Sequence, residues 1–263
     1  MLAQRSGLEP CPEPLTIQVM RSTHFLIGIL FSCLTASLSF SQESSSQTTR
    51  AANPAATPTP TPETRKRRSV VEVEEAMSKG QDLLFKKHDA KASIDEFKRA
   101  TKLDPWYGQA YLLLGLAQMQ LQQWNDAQWA FEEAAKVEPG NAKAYLGAGS
   151  ALNEQKDYVA AQKALQRSLE IRPDSAEAHY ELARSLWGLG KWQTAEPHLR
   201  QAIELNKDYA GPHALMGNVF LQQEDPEAAL AEFEECLRLD PEGSMAPSVK
   251  EIIVQLKKAL GKK

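Results

Sequence analysis

A chain of 263 residues, 42% of them hydrophobic and 24% charged, is long enough for one or two folded domains and has the composition of an ordinary soluble globular protein. A net charge of -4 and an isoelectric point near 5.8 argue against the basic balance that nucleic acid or an anionic lipid surface selects. Of three cysteines only Cys236 lies beyond residue 40, which excludes a disulfide-stapled fold and a zinc site built on clustered cysteines.

The first predicted element is an export signal. Phe25 to Phe40 reads FLIGILFSCLTASLSF, preceded by Arg21 and His24 and followed by no acidic residue until Glu43. Sixteen residues, several of them Ser or Thr, fall short of the ~20 apolar residues that span a bilayer, so cleavage after Ser41 is expected. The proline-bearing stretch before Met20 does not suit a signal, which makes Met20 the expected start of translation. Residues 1–41 are thus read as the signal region and the mature chain as extracytoplasmic, periplasmic or secreted. The alternatives are an amino terminus retained as an anchor or lipidated at Cys33.

Residues 42–68 are rich in Ser, Thr, Ala and Pro and contain the run TPTPTP from Thr57 to Pro62, a composition that favours extended, unpacked chain. They are read as a disordered linker, with Arg65 to Arg68 as a solvated basic end.

Beyond the linker the chain repeats. The tripeptides LDP, VEP, IRP and LDP end at Pro105, Pro139, Pro173 and Pro241, and LNK ends at Lys207, so one period of 34 residues runs five times. Units of 74–107, 108–141, 142–175, 176–209 and 210–243 align Tyr111, Leu114, Gly115, Ala127, Phe131, Ala134 and Pro139 with Tyr145, Ala148, Gly149, Ala161, Leu165, Ser168 and Pro173. His213, Met216, Gly217, Ala229, Phe233, Cys236 and Pro241 continue the series; unit four departs with Ala183 and Lys207, and unit one with Gln81 and Ser93. Small residues let two helices cross closely, a large apolar one fills the space beside them, and proline stops the second helix. One such hairpin cannot bury its apolar face alone, so neighbours must stack.

This pattern resembles the tetratricopeptide repeat family. The resemblance implies an all-α, right-handed superhelical solenoid of five helical hairpins over residues 69–243. Residues 244–263 add a helix in which Val249, Ile252, Ile253, Leu256 and Leu260 recur at helical spacing, expected to cap unit five. A membrane-surface or partner-binding helix is the rival reading.

In that family the first helix of each hairpin lines a concave, peptide-binding face. Carried over by position, the expected groove residues are Leu112, Leu113, Leu116, Met119, Lys143, Tyr180, Arg184, Trp187 and Asn218, with Tyr180 and Trp187 on one helix face as the foremost contacts. The positions where one branch of the family grips an acidic chaperone tail hold Ser78, Asp82, Leu113, Lys143 and Gly147, four of which cannot present the positive or amide groups that ligand needs.

No catalytic, cofactor-binding or metal-binding residue is expected. His179 and His213, 34 residues apart, occupy a place that takes a packing aromatic elsewhere, Cys236 a core place, and His88 a turn. No glycine-rich phosphate loop or nucleophile motif appears. The sequence therefore reads as an exported scaffold, not an enzyme, that binds a protein or peptide. The alternatives are a membrane-tethered envelope assembly factor and an accessory subunit of a separate enzyme; oligomeric state stays open.

Overall fold

The computed structural model describes residues 62–261. The expected export segment and most of the expected linker lie outside the described residues, which comprise eleven α-helices and no strand. They are α1 Pro62–Gln81, α2 Ala90–Leu103, α3 Gly108–Gln120, α4 Trp124–Val137, α5 Ala142–Glu154 and α6 Tyr158–Ile171. There follow α7 Ala176–Gly188, α8 Trp192–Leu205, α9 Ala210–Gln222, α10 Pro226–Leu239 and α11 Ala246–Ala259. α1 reaches back to Pro62, so the last seven residues of the expected linker are helical; proline, with its fixed φ and no N–H, suits a first helical position.

The second helices start at residues 90, 124, 158, 192 and 226, each 34 after the last, and every one spans 14 residues. Each hairpin turn contains one residue of positive φ at the same register: His88, Gln122, Lys156, Gly190 and Glu224. Only one is glycine, so at the other four the turn imposes a backbone that side chains rarely adopt. Asp89, Asp157 and Asp225 then cap the second helix, accepting from Ala92, Ala160 and Ala228 N–H at 2.9–3.1 Å. Gln123 and Lys191 at the same register make no side-chain cap.

The second helices end as the prolines predict. Asp104 and Arg172, which precede Pro105 and Pro173, have extended backbone. Asn206 precedes Lys207 and is equally extended, with its N–H on Ala202 O at 3.0 Å, so the stop does not depend on proline alone.

The described residues form two compact units, 62–151 and 152–261, divided within α5. In the first, α1 packs on α2, α2 on α3 and α3 on α4. Phe131 is fully buried over Gly115, where a Cβ would stand 2.8 Å from its ring, and over Gly147, where a Cβ would stand 2.5 Å away. Phe97 lies in the same way over Gly80, not over Gln81 as the period suggests. The cause is a π-helical turn, Asp82–Lys86, which inserts one residue between α1 and the turn and shifts the glycine by one place. Ser93, at the small-residue place, is fully buried and donates its hydroxyl to Ala90 O at 2.7 Å.

In the second unit α6 packs on α7, α7 on α8, α8 on α9 and α9 on α10. Gly217 lies against Phe233, while Ala183 and Leu199, both fully buried, take the corresponding places one repeat earlier. α11 packs on α10 through Val249 and Ile253, with Ile252, Leu256 and Leu260 beside them, and Lys257 pairs with Glu234 at 2.8 Å. It covers the apolar side of the last hairpin, as a cap does.

Candidate interaction surface

On an amphipathic helix, residues 3–4 apart share one face, so positions 180, 184 and 187 of α7 form a row, as do 112, 116 and 119 of α3. The two rows differ in chemistry. Leu112, Leu113 and Met119 are 4, 4 and 6% exposed, and Leu116 packs partly buried on the apolar core of the first unit. These four are held by their neighbours. Lys143, on α5, is half-buried.

The α7 row is polar and tied to the end of α5. Arg184 donates from Nη1 to both oxygens of Glu181, at 3.0 and 2.9 Å, and from Nη2 to Glu154 Oε1 at 2.8 Å. Asn153 Nδ2 donates to Glu181 O at 2.9 Å and Glu181 Oε2 at 2.8 Å, and Ser185 Oγ donates to Asn153 Oδ1 at 2.8 Å. The side chains of Arg184 and Glu154 keep 14 and 15% of their surface. Burial works to lower the Arg184 pKa, but Glu181, Tyr180 and Glu154 outweigh it, and the guanidinium stays charged.

Tyr180 stands beside this cluster, edge-on to Tyr209 with ring centroids 5.1 Å apart, and above Gly211, where a Cβ would lie 3.0 Å from its ring. Desolvation pushes its phenol up to about 12 and also raises that of Tyr209 well above the usual phenol range. Much of Tyr180 therefore packs α7 against α9. Trp187, two turns further on, is half-buried. Asn218 on α9 is 5% exposed, with no hydrogen-bond partner for Oδ1.

The two histidines singled out by the period do not meet each other. His179 pairs with His198 of its own hairpin, Nδ1 to Nδ1 at 3.1 Å, and His213 pairs with Glu232 of its own, Nδ1 to Oε2 at 2.7 Å. Residues 198 and 232 are again 34 apart. Burial first, then His179, holds the His198 pKa below the usual imidazole range. Cys236 is buried, with its thiol pushed up to about 11 chiefly by desolvation, as a core residue should be. No group of three or more His, Cys, Asp or Glu suited to a metal occurs among the described residues.

The family profile described as "Tetratricopeptide repeat" matches residues 140–208 and 174–242. No curated protein sequence matches the chain. Among solved structures it is similar to MamA (residue 41 to the end) from Desulfovibrio magneticus, with a TM-score of 0.58 and 18% identity over 65% of this chain and 96% of that one. It is similar to TTC0263, a thermophilic protein of the same repeat class from Thermus thermophilus (TM-score 0.56, 20% identity, 72% of this chain and 98% of that one). It is also similar to YrrB, whose structure is described as having an unusual peptide-binding site (TM-score 0.54, 19% identity, 70% and 97%). These likenesses show the fold, a helical solenoid of repeats.

Proposed function

The chain belongs to the tetratricopeptide repeat family, and from that premise we propose that it is a non-catalytic scaffold that binds another polypeptide through the exposed faces of its first helices, α7 foremost. One observation carries the reading. At the register where α3 places Leu116 and Met119, the second unit places Arg184 and Trp187, and fixes Arg184 with two carboxylates from successive first helices. Leucine and methionine serve the stack at those places, so an ion pair that must be desolvated is not needed for folding. Held in one geometry beside Trp187, it presents fixed charge and an aromatic surface at little ordering cost, which is what polypeptide recognition uses.

The amino-terminal segment supports a location outside the cytoplasm, with the linker as a tether between the repeats and either a membrane anchor or a free end. A membrane-tethered assembly factor and an accessory subunit of a separate enzyme are the finer alternatives, and neither has a structural observation of its own in its favour.

The test is capture of partners from host fractions by tagged wild-type protein and by Trp187→Ala, with far-ultraviolet circular dichroism on both. The reading expects a saturable polypeptide partner that the variant loses while keeping its helicity; equal capture by both removes α7 from the site. Intact mass of the mature chain in the same preparation distinguishes a free terminus at Gln42 from a lipidated or retained one.

A further inference from the structure

We propose that His179 and His198 form a binding site for a divalent transition-metal ion of the Zn2+, Ni2+ or Cu2+ type, with their two Nδ1 atoms as the protein ligands. The histidines stand on α7 and α8, the two helices of one hairpin, with ring centroids 5.3 Å apart and planes inclined by 29°. His179 Nε2 lies 3.0 Å from Pro173 O. A carbonyl oxygen only accepts, so this nitrogen carries the proton, and the Nδ1 of the neutral ring presents a lone pair. That lone pair meets His198 Nδ1 at 3.1 Å.

The spacing suits an ion as well as a shared proton. Imidazole nitrogen binds such metals at ~2.0–2.1 Å, so two nitrogens 3.1 Å apart subtend about 98° at an ion between them, within the range of tetrahedral and square or octahedral sites. Ion binding moves the His198 proton from Nδ1 to Nε2, leaving both rings neutral and releasing no proton. The Pro173 carbonyl is the kind of outer partner that orients a ligating histidine. With no third protein ligand grouped there among the described residues, solvent completes the coordination, and the ion is exchangeable.

The hairpin does not require the pair. The register positions of His179 and His198 hold Tyr111 and Ala130 in the second repeat, and Tyr145 and Ala164 in the third. These repeats form their hairpins with alanine at the register of His198, so the hairpin does not need a histidine there.

The experiment is calorimetric titration of untagged full-length protein with Zn2+, Ni2+ and Mg2+, together with thermal unfolding, for wild type, His198→Ala and His213→Ala. Wild type should take up about one transition-metal ion and unfold at a higher temperature with it, by linkage, and should ignore Mg2+. His198→Ala should bind at least about tenfold more weakly, and His213→Ala like wild type. Absence of uptake by wild type, or equal uptake by His198→Ala, overturns the proposal. Should His198→Ala not fold, imidazole 15N resonances of wild type decide the matter: Zn2+ must shift those of His179 and His198 and spare those of His213, and any other pattern overturns it.

Discussion

The pairing of glycine with phenylalanine in the hairpins can be tested by a double-mutant cycle on Gly115 and Phe131. A Cβ at residue 115 would meet three ring carbons of Phe131 at 2.8, 2.9 and 2.9 Å, and the ring cannot withdraw because its other side lies against Gly147. Overpacking of this kind costs about 1–3 kcal/mol, against about 1 kcal/mol gained from the better helix propensity of alanine, so Gly115→Ala should destabilise by ~0–2 kcal/mol. With Phe131→Leu in place the steric part vanishes and the propensity gain alone remains. Ala183 and Leu199, both fully buried at the same register, show that the fold accepts this combination. The two changes should therefore couple by about 1–3 kcal/mol, read from urea unfolding followed by circular dichroism and tryptophan fluorescence. Additivity within ~0.5 kcal/mol would show that the ring does not hold Gly115 in place.

The uncapped second helices offer a gain of function in stability: Gln123→Asp and Lys191→Asp should each stabilise by about 0.5–1 kcal/mol in urea midpoints, because Asp89, Asp157 and Asp225 already cap at that register. Cys236 should resist thiol reagents at pH 8 in the native protein and react fully once denatured, since burial pushes its pKa to about 11. Tyr180 keeps its proton up to about pH 12, raised from 10 in the unfolded chain, so the unfolded state loses its proton first as pH rises. The stability that Tyr180 contributes is thus complete below pH 10 and lost between 10 and 12, and Tyr180→Phe should flatten that alkaline decline in midpoint. Breaking the ion cluster by Arg184→Ala should cost about 3–5 kcal/mol, since it leaves Glu154 and Glu181 close together without their cation.

The period of the closing tripeptides sufficed to locate every second helix and turn, because a 34-residue hairpin repeats its stops and caps at one spacing. It failed where the spacing itself changed. Gly80 packs on Phe97 one place out of register, and a π-helical turn leaves no mark in residue types. The left-handed turn residues were also illegible, since four of the five carry side chains. In the candidate groove, position alone grouped Leu112, Leu113, Leu116 and Met119 with Arg184 and Trp187, although the first set is packed and the second is not equally so. Burial in a stack depends on neighbours one repeat away, and sequence spacing within a helix does not report it. The same limit hid the histidine pair: the 34-residue spacing sets His179 beside His213 in register only, while the hairpin brings it to His198, nineteen residues on.

A repeat fold separates structural from specific residues, because each register position is filled five times under nearly the same packing demands. Where leucine or alanine meets the demand in one hairpin, a charged or ligating side chain at the same position in another is answering a different requirement. Arg184 in place of Leu116 and Ser150, and His198 in place of Ala130 and Ala164, are departures of that kind, each fixed by hydrogen bonds at or below 3.1 Å. Both fall on α7 and α8. On the proposed reading recognition is concentrated on this hairpin, and Trp187→Ala should weaken it with less loss of stability than Arg184→Ala, which leaves two carboxylates without their cation.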